Sequence, residues 1–109
     1  MRQISFEEAK RLMQEENALL LDVREEEEYR AGHASGAKLF PLSKITDESA
    51  AFKLPDPKRP ILIYCRTGNR SRDAAQMLES YGYEQLFDLG GLSGWPFGID
   101  LGDEESDEA

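Results

Sequence analysis

The sequence predicts one α/β domain: a mostly parallel sheet of four to five strands with helices on both faces. Three observations lead there. Apolar runs of strand length alternate with stretches of helical periodicity, the pattern of a chain that crosses over between parallel strands. The runs lack in-out alternation, so each strand is expected to be covered on both sides. Finally, 109 residues with 39% apolar content suffice for one modest core and not for two.

The elements follow in order. A first helix is predicted from Ser5, which can cap it with Glu8 three residues on; Phe6, Ala9, Leu12 and Met13 then share one face, and the helix should end near Asn17. Residues 18–23 form an uninterrupted apolar strand around Asp22. Residues 25–28 are all glutamate and lead into Tyr29, which predicts a short helix with its glutamates in water rather than a metal site. Residues 37–40 read as a short strand stopped by Pro41, residues 42–52 as a weaker helix, and the proline-rich 54–60 as a rigid surface connection. Residues 61–64 make a second buried strand, 65–70 a compact loop, and a helix opens near Ser71 with Ala74, Met77, Leu78 and Tyr81 as its apolar stripe and Gly82 as its stop. Residues 85–89 complete the sheet, and Gly90-Gly91 turns the chain toward Trp95, expected to pack in the core. The domain is expected to span 1–99. Six carboxylates among residues 100–109 make that end an expected acidic, solvated and disordered tail.

A formal net charge of -9 disfavours nucleic acid and anionic membrane surfaces as partners. No stretch reaches the ~20 apolar residues of a membrane span, and the first residues hold no apolar signal-peptide core, so a cytoplasmic protein is expected. Cys65 is the only cysteine. It can form no intramolecular disulfide and has no resolving partner in the chain, and a free thiol survives best in a reducing compartment. One cysteine and one histidine without nearby partners do not make a metal-ligand set, and neither metal nor cofactor is expected.

Both Asp22 and Cys65 fall at the carboxyl ends of predicted strands, where open parallel sheets tend to bind ligands. A loop that closes directly onto a helix N-terminus aims backbone N–H groups inward and adds the positive end of the helix dipole. Gly68 permits the tight turn, and Arg66, Arg70 and Arg72 bring three guanidinium groups near one thiol in an otherwise acidic chain. An ordinary cysteine has a pKa of ~8.5, and a drop of ~2 units would make the thiolate dominant near neutrality at a cost of ~2.7 kcal/mol in differential stabilisation. Several N–H donors, a helix end and one or two arginines can supply that. A buried, inert cysteine would leave three arginines and a glycine in the next seven residues without explanation.

Across residues 4–98 the chain resembles the rhodanese-like sulfurtransferase domain. The similar segments are Leu21-Asp22-Val23-Arg24, Tyr29 with His33, Gly36-Ala37 and Phe40, the loop Cys65-Arg66-Thr67-Gly68-Asn69-Arg70-Ser71, and Gly90-Gly91 with Trp95. One departure is local: Ala34-Ser35 stands where the family usually has a branched apolar residue and proline. The resemblance implies a rhodanese-like fold and a persulfide carried on Cys65, with the substrate bound by Arg66, Thr67, Gly68, Asn69, Arg70 and Ser71. It implies a small anionic donor, thiosulfate or a persulfide, and a thiol or cyanide as acceptor, in a ping-pong scheme. Structural support is expected from Asp22, orienting Arg24 or the loop, and from His33 through a hydrogen bond rather than as a base.

Three alternatives compete. A cysteine phosphatase or arsenate reductase would place five residues between cysteine and arginine; here four separate Cys65 from Arg70, and Ser71 occupies the phosphatase arginine position, so the tighter ring suits a persulfide sulfur. A noncatalytic interaction module would not need Cys65 and its arginines. A sulfur relay would use a persulfidated partner protein as donor or acceptor, for which the acidic tail is a candidate contact.

Overall fold

The computed structural model describes residues 2–102. Five strands form a parallel sheet: β1 (Arg2–Gln3), β2 (Leu19–Asp22), β4 (Lys38–Leu39), β5 (Ile61–Cys65) and β6 (Leu86–Gly91), in the spatial order β1-β6-β5-β2-β4. Two further strands, β3 (His33–Ala34) and β7 (Ile99–Asp100), pair antiparallel in a separate ribbon. The helices are α1 (Phe6–Glu15), α2 (Glu26–Ala31), α3 (Asp47–Lys53) and α4 (Asn69–Ser80). No helix among the described residues is long and apolar enough to cross a membrane.

The two central strands separate two layers of core, as their unbroken apolar sequence requires. Leu19, Leu21, Ile61, Ile63 and Cys65 point to the side covered by α3 and α4, where Ala50, Ala74, Ala75 and Leu78 meet them. Leu20, Leu62 and Tyr64 point to the other side, against Ala9 and Leu12 of α1, Tyr29 of α2 and Trp95. Trp95 stands edge-on to Phe6 and to Phe97, with ring centroids 5.2 and 5.1 Å away.

Several boundaries differ from the sequence-based expectation for local reasons. Ser5 caps α1 by accepting from the Glu8 N–H at 3.1 Å, but Glu8 does not reach back; its carboxylate turns to Arg11 instead. The single helix expected over 42–52 divides into a 3-10 turn, Leu42–Lys44, and α3. Ile45 is buried in an extended conformation, and Thr46 and Ser49 cap a fresh helix start reciprocally. Helix α4 begins at Asn69, two residues earlier than expected, because Gly68 at φ +100° turns the chain straight into it. Asp100, the first residue of the expected tail, lies in β7 opposite His33, and residues 103–109 lie outside the described residues. At the Ala34-Ser35 departure the turn still closes, with Ala37 N–H on the Ala34 carbonyl at 3.0 Å.

Candidate active site

Cys65 is the last residue of β5, at the carboxyl edge of the sheet, with its side chain on the α4 side. The chain needs only three more residues to enter α4, so the first turn of that helix wraps the thiol. Sγ accepts from the Gly68 N–H at 2.9 Å, and the residue is 1% exposed. Burial alone pushes the thiol up. The Ser71 N–H and hydroxyl, with the N–H groups of Gly68 and Thr67, outweigh it and set the thiol below its ordinary value. The Ser71 hydroxyl has one proton to give and also lies 2.8 Å from Asp88 Oδ1, so the backbone N–H groups are the constant support.

The floor of the loop is built by the double glycine. A Cβ on Gly91 would stand 2.6 Å from the Arg66 carbonyl oxygen, so only glycine lets β6 pass that close. Leu89 is the extra residue of a bulge in β6: Ile63 pairs with Asp88 and Tyr64 with Gly90. That irregularity leaves Asp88 with two donors on one oxygen, the Ser71 hydroxyl and the Gly90 N–H, each at 2.8 Å. Asp88 therefore ties β6 to the first turn of α4.

The loop arginines have different surroundings. Arg66 and Arg72 are exposed and have no carboxylate partner among the described residues. Arg70 instead forks onto Glu28 of α2, with Nη1 2.7 Å from Oε1 and Nη2 2.8 Å from Oε2. Glu28 is thus not one of four glutamates facing water, as its sequence context predicted. The Arg70 hydrogen bonds lower its pKa to about 2, against the opposing effect of burial.

Beneath the loop lies a second polar cluster. Buried Asp22 receives Arg24 Nε and Nη2 at 3.0 and 2.8 Å, and Arg24 Nη2 also donates to the Gly32 carbonyl at 2.7 Å. Burial opposes the Arg24 charge, but Asp22 beside it more than compensates and holds the guanidinium protonated. Tyr64, next to Cys65, donates its hydroxyl to Asp22 and accepts the Ala34 N–H at 3.0 Å. Burial, with Asp22 adding to it, pushes the Tyr64 phenol up and keeps it a donor. His33 stands in the other core layer, its ring stacked on Tyr29 at 3.7 Å and Nδ1 2.8 Å from the Tyr29 carbonyl oxygen; no described hydrogen bond links it to Cys65.

The structure therefore gathers Thr67, Gly68 and Ser71 at the thiol, turns the Arg70 side chain to Glu28, leaves Arg66 and Asn69 exposed, and sets Asp22 and Arg24 with Tyr64 on the other face of the sheet. Glu28, Tyr64 and Asp88 were not anticipated. Asp88 is a lone carboxylate within the apolar run of β6 (Leu86–Gly91), beside the bulge at Leu89. Glu28 meets Arg70 across 42 residues of sequence, and no local pattern announces that.

A parallel α/β sheet with a cysteine wrapped by the first turn of a helix at its carboxyl edge defines a class that comparison with known proteins places directly. Residues 5–96 match the rhodanese-like domain, and the chain belongs to that family. It is 30% identical over 95 residues to the thiosulfate sulfurtransferase GlpE of Coxiella burnetii, covering 86% of each chain. Among solved structures it is similar to a rhodanese from E. coli determined with anions, at 30% identity and a TM-score of 0.71, covering 78% of this chain and 99% of that one. It also superposes on a thiosulfate sulfurtransferase from Pseudomonas aeruginosa at 29% identity and a TM-score of 0.81, over 94% of this chain and 20% of that longer one.

Proposed function

We propose that the chain is a sulfurtransferase that moves sulfane sulfur from thiosulfate or a low-molecular-weight persulfide to a thiol or cyanide through a persulfide on Cys65. The observation that carries this reading is the Gly68 N–H at 2.9 Å from Sγ, in a helix turn whose other N–H groups also favour the thiolate. The Cys65 thiolate attacks the outer sulfur of the donor; the donor S–S bond breaks, and sulfite departs with the bonding pair when thiosulfate is used. The new terminal sulfur carries the negative charge and takes up the loop N–H groups. In the second half-reaction an acceptor thiolate or cyanide attacks that sulfur, and the Cys65 thiolate leaves. Thr67, Gly68, Asn69 and Ser71 frame the cradle, and Arg66 meets the anion from the rim. Asp22, Arg24 and His33 support the framework. A protein donor or acceptor is compatible with the exposed rim, and the lone thiol fits a reducing compartment such as the cytoplasm.

Steady-state sulfite release, with thiosulfate and a thiol or cyanide varied together, tests the reading. Parallel double-reciprocal lines, loss of turnover in Cys65→Ala and negligible hydrolysis of an aryl phosphate are expected. Efficient aryl phosphate hydrolysis, or sulfite release that survives Cys65→Ala, would overturn it.

A further inference from the structure

Of the three arginines that follow Cys65, Arg70 alone has a carboxylate counter-charge among the described residues, and that counter-charge is built in rather than incidental. Glu28 Oε1 accepts the Glu25 N–H at 3.0 Å as well as Arg70 Nη1, so the carboxylate is held by its own helix start while it holds the guanidinium. Helix α2 is itself pinned: Tyr29 is buried and its hydroxyl donates to the Ala37 carbonyl at 2.6 Å. The side chains of Arg70 and Glu28 remain 33% and 29% exposed, so the pair is open to solvent and to charged solutes.

The fork leaves three of the five guanidinium N–H groups of Arg70 free to donate, yet cancels its charge. Arg70 lies in the first turn of α4, the turn that follows Cys65, and its pKa is raised chiefly by the Glu28 hydrogen bonds with a smaller contribution from the Cys65 thiolate. A full negative charge at this position opposes an incoming dianion about twice as strongly as a monoanion.

We propose that Glu28 is a specificity-determining residue: by cancelling the charge of Arg70 it turns the site away from dianionic thiosulfate and toward singly charged sulfane donors, such as thiosulfonates and small persulfides. The donor preference rests on the sulfurtransferase reading above; the charge discrimination at Cys65 does not.

Two pairs of reagents that differ by one charge test it. Thiosulfate and methanethiosulfonate are a dianion and a monoanion of similar shape; iodoacetate and iodoacetamide are an anion and a neutral reagent that both alkylate the single cysteine. In Glu28→Gln, which keeps shape and an acceptor for Arg70, the thiosulfate-to-methanethiosulfonate ratio of kcat/KM should rise about threefold to tenfold, and the iodoacetate-to-iodoacetamide rate ratio should rise in parallel. Arg70→Gln should lower both ratios, and adding Glu28→Gln to it should restore them. Unchanged ratios in Glu28→Gln, or a double variant no better than Arg70→Gln, would reduce the pair to a structural clasp and overturn the proposal. If neither sulfur donor loads the wild-type protein, the proposed function fails, while the alkylation ratios still decide the role of Glu28.

Discussion

At Cys65 two opposing effects meet, and the magnitudes decide which wins. Burial of the thiol favours its neutral form, while the Ser71 and Thr67 N–H groups, the Gly68 N–H at 2.9 Å and the start of α4 favour the thiolate, and the donors prevail. Because the pKa is lowered, the thiolate fraction at a given pH is higher than for a free cysteine. The rate of alkylation by iodoacetamide should accordingly reach its plateau at a lower pH than for an unstructured peptide thiol; a midpoint at or above the peptide value would contradict the geometry. Asp22 and Arg24 present the reverse case, a buried pair whose value lies in not being broken. Removing the carboxylate in Asp22→Ala strands a buried guanidinium and the Tyr64 hydroxyl, and should cost about 3–5 kcal/mol in unfolding free energy by urea titration. A cost under about 1 kcal/mol would show that the cluster is solvated. The residues of the loop were legible in sequence because glycine, arginine and cysteine each do something specific at short spacing. Glu28 was not, since a glutamate among glutamates gives no hint that one of them turns inward to an arginine 42 positions away.

The elements that carry the site were legible where the sequence has a period and obscure where only pairing defines them. The buried runs around Leu20 and Leu62 announced β2 and β5, and the stripe from Ala74 to Leu78 announced α4. Strands β1, β3 and β7 are two residues each and rest on backbone pairing with distant partners, so no apolar run marks them. The helix expected over 42–52 misled because its apolar residues serve two pieces, with Thr46 starting the second. Among the glycines, Gly91 marks the tightest approach, that of β6 to the loop after Cys65. Gly91→Ala would set a methyl group 2.6 Å from the Arg66 carbonyl oxygen, and the loop must shift. Sulfur transfer should fall at least about tenfold, a displacement effect of the kind expected when a reacting group moves by an ångström or less. A near-wild-type rate would mean that β6 yields instead of the loop.

On the scale of the molecule, the chain's charge and its site pull in opposite directions. The net charge is -9, yet Cys65 is surrounded by backbone N–H groups and followed by three arginines, a local concentration of positive charge on an anion-repelling body. The fold reconciles them by concentrating the positive end of α4 and the exposed Arg66 at the carboxyl edge of the sheet, with Glu28 moderating the rim. The central claim is that this edge turns Cys65 into a sulfur carrier. Its most direct test is the intact mass of the purified protein after incubation with thiosulfate, and separately with a low-molecular-weight persulfide. The account predicts a gain of one sulfur, about 32 Da, that a thiol or cyanide removes and that Cys65→Ala never acquires. No gain from either donor, or a gain that persists in Cys65→Ala, would contradict it.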